Sequence, residues 1–233
     1  MKIVLVDTNW KNFLPVSFTR PVSQLRCGIL NIYEKWEKLF NTDSVAVSEE
    51  YLNDKFFKEF DGGALIINSK VVPNQGLAEA IQCLGDKEIL TSEQTWLAIR
   101  SEEGFNKKKW RDAKPVLYSG EFTTLENWWD LYKQNGPEIE NDFTLITKGR
   151  ISQSLSSSNT LIGSLDKLFI EEGAYIEGCT LNTDFGPIYI GKNVELMEGI
   201  SIRGGFSVLE DSKIKLGAKI YGPTSIGPKC RIG

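Results

Sequence analysis

Two arginines and a glycine near the N-terminus lie in a stretch whose residue types favour the binding of an anion. Arg20 follows Thr19, and Arg26 precedes Gly28, where an amphipathic helix is predicted to begin. Guanidinium groups bind phosphate with paired hydrogen bonds, and the free amides at a helix N-terminus add a positive dipole. The stretch therefore predicts a phosphate site with both arginines as catalytic candidates. The alternative is that both arginines pair with surface carboxylates such as Glu34 or Asp7.

Further candidates for binding follow two runs of apolar residues. The first run ends in Asp7, and the second ends in Asn68, with Lys70 close behind it. Runs of this kind are typical of strands that are buried on both faces. Because ligands of an open α/β sheet bind at the carboxyl ends of its strands, Asp7, Asn68 and Lys70 are predicted to bind nucleotide or phosphate. Thr19 and Gly28 are assigned to the same binding role.

The elements around these residues alternate between strands and helices. Amphipathic helices are predicted from Gly28 to Phe40, near 49–60, near 77–84 and near 125–134, between short apolar strands. The triplet Asn135-Gly136-Pro137 is predicted to end the last of these helices. The alternation indicates an α/β layer with a mostly parallel sheet.

The C-terminal part of the chain repeats an apolar residue at every sixth position. A helix would repeat at about 3.6 residues and an amphipathic strand at every second residue, so neither explains the spacing. Six residues suit one short strand and one turn, and three such units close a triangular coil. The pattern is similar to the hexapeptide repeat of left-handed parallel β-helices. The repeat positions are Ile190, Leu196, Ile202, Val208, Ile214, Ile220, Ile226 and Ile232.

Composition narrows the classes of function. The formal net charge of -4 gives no electrostatic reason to expect nucleic acid or an anionic membrane as a partner. No apolar run approaches the roughly 20 residues of a membrane span, and the N-terminal run is too short for a signal peptide, so a cytoplasmic protein is expected. The sequence has no histidine, which excludes histidine acid–base catalysis and histidine metal ligands by the residues present.

Short motifs along the chain are similar to those of sugar-1-phosphate nucleotidyltransferases that carry hexapeptide repeats. The chain most resembles the bifunctional N-acetylglucosamine-1-phosphate uridylyltransferase/glucosamine-1-phosphate acetyltransferase family, and within it a divergent group from Bacteroidetes. The matching motifs are Phe18-Thr19-Arg20-Pro21, Cys27-Gly28-Ile29-Leu30-Asn31-Ile32, Trp129-Asp130-Leu131 with Asn135, and Gly186-Pro187-Ile188-Tyr189-Ile190-Gly191.

The resemblance implies an α/β fold class with two domains. Residues 1–140 would form a reduced Rossmann-like nucleotidyltransferase domain, residues 141–165 a linker with a serine-rich stretch, and residues 166–233 a left-handed parallel β-helix of hexapeptide repeats. The resemblance also implies that a nucleoside triphosphate and a sugar 1-phosphate are the substrates. A nucleotide sugar and pyrophosphate would be the products.

The chain departs from the family at the positions that would carry catalysis. The family's glycine-rich loop is replaced by residues 7–12, and Arg26 is the best substitute for the lysine that follows that loop. The family's metal-binding aspartate is replaced by Ser69-Lys70, so that Mg²⁺ is a candidate cofactor without its usual ligand. Lys70 could instead neutralise phosphate charge. Lys107–Lys109 could form a phosphate-contacting lid or a solvated basic loop.

The repeat raises a second question of function. Left-handed β-helices of this family are acyltransferases that form trimers and use a histidine, and this sequence contains none. The resemblance therefore implies a homotrimer, with acetyl-CoA as a cofactor only if a further site follows residue 233. Because the last hexapeptide is interrupted at Gly233, we expect a longer natural protein.

Two functional interpretations remain open at the level of sequence. The first is a nucleotide-sugar pyrophosphorylase in which Arg20 and Arg26 hold phosphates. The second is a catalytically degenerate protein that binds a nucleotide sugar or acts as an oligomer scaffold, or an acyltransferase whose site lies beyond residue 233. Catalysis of nucleotidyl transfer depends mostly on positioning and charge neutralisation, which arginines can provide.

Overall fold

The computed structural model describes residues 1–93, 95–105 and 112–233. These residues form two compact units. The first consists of Met1–Arg26 and Asn31–Asp130, and the second of Cys27–Leu30 and Leu131–Gly233. The helices are α1 (Ile32–Phe40), α2 (Glu50–Phe56), α3 (Gln75–Gln82) and α4 (Trp128–Thr147). Short 3-10 helices cover Trp10–Phe13, Val22–Gln24 and Leu165–Lys167.

The first unit is built on a six-stranded sheet with the order β2-β1-β3-β6-β5-β7. Its strands, with the separate pair β4 and β8, are β1 (Lys2–Val6), β2 (Ser44–Val47), β3 (Ala64–Asn68), β4 (Val71–Val72), β5 (Glu88–Thr91), β6 (Trp96–Ser101), β7 (Lys114–Leu117) and β8 (Thr123–Thr124). β1 pairs in parallel with β2 and β3, and β6 runs against β3 and β5. Next to the antiparallel pairing of β5 with β6, the Ser92 N–H donates to the Thr95 carbonyl at 2.8 Å. The α/β class and the mostly parallel sheet are confirmed.

The predicted start of the first helix is wrong. The helix α1 begins at Ile32, because Glu34 accepts the N–H of Asn31 at 2.6 Å in the manner of a capping box. Gly28 lies before the helix, with a φ of +88° that favours glycine. Residues 27–30 therefore form a separate segment between the 3-10 turn and α1.

The second unit contains the β-helix, in three parallel four-stranded sheets. Their orders are β10-β13-β16-β19, β11-β14-β17-β20 and β18-β15-β12-β9. The strands are β9 (Thr160–Ile162), β10 (Leu168–Ile170), β11 (Tyr175–Ile176), β12 (Thr180–Asn182), β13 (Ile188–Ile190), β14 (Glu195–Leu196), β15 (Ser201–Arg203), β16 (Phe206–Val208), β17 (Lys213–Ile214), β18 (Lys219–Ile220), β19 (Thr224–Ile226) and β20 (Arg231–Ile232). The predicted left-handed parallel β-helix is confirmed.

The hexapeptide pattern sets the register of the coils. Ile190 pairs with Val208, and Val208 pairs with Ile226, so that positions three hexapeptides apart lie over one another. The repeat side chains up to Ile214, together with Ile226, are buried in one apolar cluster, and Ile220 and Ile232 are partly buried against it. The aliphatic repeat therefore fills the interior of the β-helix, as predicted.

The stretch 141–165, predicted to be a linker, contains the end of α4 and the strand β9. Helix α4 passes through Pro137 and continues to Thr147, because Ile139 and Phe143 are buried against Phe169 and its neighbours in the β-helix. This burial outweighs the local cost of a proline inside a helix. The serine-rich stretch then joins the first coil, where the N–H of Gln153 donates to the carbonyl of Ile170 at 2.8 Å.

No helix of the described ranges is both long enough and apolar enough to cross a bilayer.

Candidate functional site

Polar residues lie together at the carboxyl ends of β1, β2 and β3. Because β1 pairs in parallel with both neighbours, Val6 is in register with Val47 and with Asn68. The residues that follow these strands consequently meet at one edge of the sheet. We refer to them as the carboxyl-edge cluster, which consists of Asp7, Ser48, Asn68, Ser69 and Lys70.

Asp7 is the hydrogen-bond centre of the carboxyl-edge cluster. Its carboxylate accepts the hydroxyl of Ser48 at 2.5 Å and that of Ser69 at 2.6 Å, and the N–H of Val22 lies 3.1 Å from both of its oxygens. Burial raises the pKa of Asp7 above its ordinary value of 3.8, although these three donors act in the opposite direction. The carboxylate therefore ties β1 to the ends of β2 and β3 and to the loop that precedes Val22.

The tie at Val22 fixes one end of the loop that carries Thr19 and Arg20. The loop is fastened elsewhere too, since Ser17 donates to the Trp10 carbonyl at 2.9 Å and the hydroxyl of Tyr51 donates to the Phe18 carbonyl at 3.0 Å. Thr19 and Arg20 are exposed. An exposed guanidinium on a loop held to Asp7 is available to an anion that approaches this edge.

Asn68 is engaged at both ends of its side-chain amide. Its Oδ1 accepts the hydroxyl of Thr8 at 2.9 Å and the N–H of Lys70 at 3.3 Å, and its Nδ2 donates to the carbonyl of Trp96 at 3.1 Å. Because Asn68 is almost fully buried, these contacts hold the chain at the ends of β1, β3 and β6. Its predicted contact with base or sugar stays a prediction.

Lys70 places a cation at the same edge. Its ammonium forms an ion pair with Glu126, with 2.6 Å between Nζ and Oε2. The Lys70 carbonyl accepts the N–H of Leu125 at 2.9 Å, next to the β4–β8 pairing of Val71 with Thr124. Asp7, Asn68 and Lys70 are thus brought together as the sequence predicted.

Gly28 belongs to the second unit. The prediction that it opens α1 over a phosphate needs correction, because α1 begins at Ile32. The N–H of Gly28 donates to Asn135 Oδ1 at 2.9 Å. The amides of Ile29 and Leu30 both donate to Asp142 Oδ2, at 2.8 and 3.0 Å. A Cβ on Gly28 would lie 2.5 Å from that same Oδ2, which explains the glycine. The anion at these amides is the protein's own carboxylate.

Arg26 lies at the boundary between the loop and this segment. It forms an isolated antiparallel bridge with Asn31. Burial is the main cause of the raised pKa of Tyr33, and the positive charge of Arg26 acts on that hydroxyl in the opposite direction. The structure therefore places Arg26 beside the start of α1, and its catalytic role stays a prediction.

The residues at the carboxyl edge do not fit a magnesium ion held by protein ligands alone. Mg²⁺ takes oxygen ligands in octahedral geometry, usually one or two carboxylates together with waters and substrate phosphates. Within the described ranges, no group of three or more His, Cys, Asp or Glu is arranged to hold a metal ion. At this edge the Asp7 carboxylate already receives three donors, and the neighbouring Lys70 brings a positive charge. Lys107–Lys109, the predicted lid, lie outside the described residues.

Sequence reasoning missed Ser48 and Glu126. Ser48 directly follows β2, so the rule that selected Asp7 and Asn68 applies to it as well. Glu126 had no local signal, because it reaches Lys70 only through the pairing of β4 with β8.

Comparison with known proteins agrees with this architecture. A family model described as sugar nucleotidyl transferase matches residues 3–151, which include the whole carboxyl-edge cluster and the loop with Arg20. A search of curated proteins gave no match. Since the model covers more than half of the chain, the chain belongs to the sugar nucleotidyl transferase family.

Proposed function

We propose that the protein transfers a nucleotidyl group from a nucleoside triphosphate to a sugar 1-phosphate at the carboxyl edge of the first unit. An oxygen of the sugar phosphate would attack the α-phosphorus, and the bond from that phosphorus to the bridging oxygen would break. Pyrophosphate would leave with the electron pair, and the product would be a nucleotide sugar. Family membership supports the reaction class.

The observation that carries this proposal is the position of Arg20. Its exposed guanidinium lies two residues before Val22, whose N–H is bound to Asp7 at the end of β1. In our proposal Arg20 binds a phosphate of the triphosphate, and Thr19 contributes a hydroxyl donor beside it. Asp7 keeps the loop in place, so it acts as a positioning residue. A fixed cation stabilises the charge that accumulates on the phosphate oxygens as the bond breaks.

A pyrophosphate-release assay tests the proposal. The purified protein is incubated with each of several nucleoside triphosphates and sugar 1-phosphates, with and without Mg²⁺. We expect turnover with at least one pair of substrates. We also expect Arg20→Ala to lower kcat/KM by about 100-fold, the usual loss for one charge-stabilising donor.

The matched control is Arg231→Ala, which removes an exposed arginine from β20 in the second unit. We expect it to retain the activity of the unaltered protein. Turnover that is unchanged in Arg20→Ala, or reduced equally in Arg231→Ala, would contradict the assignment of Arg20.

A second candidate is a protein that binds a nucleotide sugar without turnover. It is favoured because Asp7 and Lys70 are both already engaged within the protein, Asp7 by the hydroxyls of Ser48 and Ser69 and Lys70 by the Glu126 carboxylate. Calorimetric binding of a nucleotide sugar by a protein that releases no pyrophosphate with any substrate pair would support this candidate over the enzyme.

A further inference from the structure

Lys70 is a buried cation, and a partly exposed carboxylate balances its charge. Only 5% of its side chain is exposed, and its main chain is fixed by hydrogen bonds to Asn68 and Leu125. Removing an ammonium from water is costly unless an anion pairs with it. In the structure that anion is Glu126, at 2.6 Å. The position of the Lys70 ammonium therefore depends on having an anionic partner.

Glu126 differs from Lys70 in that its side chain can move without its main chain. Its carboxylate-bearing side chain is 49% exposed. Its main chain is held on both sides, since the Glu126 N–H donates to Asp130 Oδ2 at 3.0 Å and its carbonyl accepts Asn12 Nδ2 at 3.1 Å. Rotation about the side-chain bonds would turn the carboxylate into solvent and uncover the Lys70 ammonium.

We propose that Glu126 is an internal competitor for substrate phosphate at Lys70, which rests on the proposed function of this edge. A carboxylate and a phosphate present the same kind of oxygen acceptor to an ammonium. The two anions repel each other at hydrogen-bond distance, so only one of them occupies Lys70 at a time. In the absence of substrate, Glu126 holds the position, and a pyrophosphate moiety displaces it.

The competition has a consequence for selectivity. A single weakly charged anion gains little by displacing a carboxylate that is already in place. A polyphosphate carries more charge and therefore gains more from the Lys70 ammonium. Glu126 thereby favours polyphosphate ligands over monoanions at this edge.

Calorimetric titration with inorganic pyrophosphate tests this competition. Glu126→Gln removes the charge and keeps the size of the side chain, and we expect it to bind pyrophosphate about tenfold more tightly than the unaltered protein. The control Glu121→Gln removes an exposed carboxylate a few residues away and is expected to leave the affinity unchanged. Lys70→Gln should weaken binding, and adding Glu126→Gln to it should then have no further effect.

Several outcomes would overturn the competition. They are unchanged or weaker binding in Glu126→Gln, equal tightening in Glu121→Gln, tightening that persists in the Lys70→Gln background, and no pyrophosphate binding by any variant. If Lys70→Gln does not fold, Glu126→Asp replaces it as the second variant, because the shorter side chain withdraws from Lys70 without a loss of charge. It is expected to tighten binding less than Glu126→Gln. If the protein binds pyrophosphate as expected but shows no turnover with any substrate pair, only the proposed reaction is contradicted and the competition stands.

Discussion

Asp7 is a carboxylate on which burial and hydrogen bonding act in opposite directions. Burial raises its pKa, while the hydroxyls of Ser48 and Ser69 and the N–H of Val22 stabilise the charged form. Burial prevails, and the pKa lies above the ordinary value. The folded protein thus binds a proton at Asp7 more tightly than the unfolded chain does. This difference links the residue to the stability of the whole unit.

The raised pKa predicts how stability depends on pH. The stabilisation that comes from protonated Asp7 is present below the ordinary pKa of 3.8 and is lost as the pH rises through the raised value. As the pH rises from 3.8 to the raised pKa, we therefore expect the free energy of unfolding of the unaltered protein to fall relative to that of Asp7→Asn. Above the raised pKa the difference between the two proteins should be constant. Urea unfolding of both proteins from about pH 3.5 to about pH 7 measures the difference. A difference that moves in favour of the unaltered protein as the pH rises would contradict the prediction.

Residues of the candidate site could be predicted from the sequence where they lie at the ends of recognisable strands. Asp7, Asn68 and Lys70 were identified because apolar runs mark buried strands and parallel strands end at one edge. Arg20 was identified by its side-chain type. Glu126 was not, because its contact with Lys70 joins residues that are 56 positions apart and depends on a tertiary pairing. Gly28 was misplaced, since the sequence offers no sign that Asp142 occupies the neighbouring amides.

At the scale of elements, one buried carboxylate of α4 accepts two amides of the segment 27–30. Asp142 Oδ2 accepts the amides of both Ile29 and Leu30. We expect Asp142→Ala to lower the free energy of unfolding by about 2–5 kcal/mol, because two buried N–H groups would lose their acceptor. Chemical denaturation measures the loss, and hydrogen exchange at these two amides should become faster.

The control for this change is Asp166→Ala, at an exposed aspartate in the same unit. It is expected to alter stability by less than about 0.5 kcal/mol. Equal losses in the two variants would show that the Asp142 hydrogen bonds are not the cause.

The close stacking of coils gives a second prediction for an element. A Cβ on Gly191 would lie 2.8 Å from the nitrogen of Glu210 and 2.9 Å from the carbonyl carbon of Leu209 in the next coil. Gly191→Ala should therefore destabilise the β-helix by about 1–3 kcal/mol, as overpacking usually does. Gly227, at the same position of the repeat, has no atom within 4 Å of such a Cβ, so Gly227→Ala is the matched control. Thermal unfolding of both variants measures the effect, and an equal response would refute the steric explanation.

The elements differed in how well the sequence predicted them. The β-helix was predicted in register, because each inward side chain is set by its own position in the hexapeptide. The end of α4 was not predicted, because Asn135-Gly136-Pro137 is a local stop signal that the burial of Ile139 and Phe143 overrides. The predicted start of α1 was also wrong. The glycine that suggested a start at position 28 instead contacts Asn135, and the helix begins after the cap at Asn31.

At the scale of the whole molecule, the β-helix leaves large apolar side chains in solvent. Leu216 is 66% exposed and Tyr221 is 71% exposed, in the turns after β17 and β18. Exposed apolar groups favour association, and the sequence analysis predicts a homotrimer. We therefore expect sedimentation velocity to detect a species of three times the monomer mass.

A double variant tests whether these side chains take part in association. Leu216→Asp with Tyr221→Asp should shift the protein toward monomer. Ile151→Asp is the control, because Ile151 is 96% exposed in the same unit and lies before the first strand of the β-helix. A protein that is monomeric at all concentrations, or that dissociates equally with the control change, would contradict the prediction.

The pairing of Ile29 with Asp142 also sets an order of events during synthesis. The two residues are separated by 113 positions along the chain. At a synthesis rate of about 5–20 residues per second, Asp142 is made roughly 6 to 23 seconds after Ile29. We therefore expect the amides of Ile29 and Leu30 to reach their native acceptor only after α4 has been synthesised.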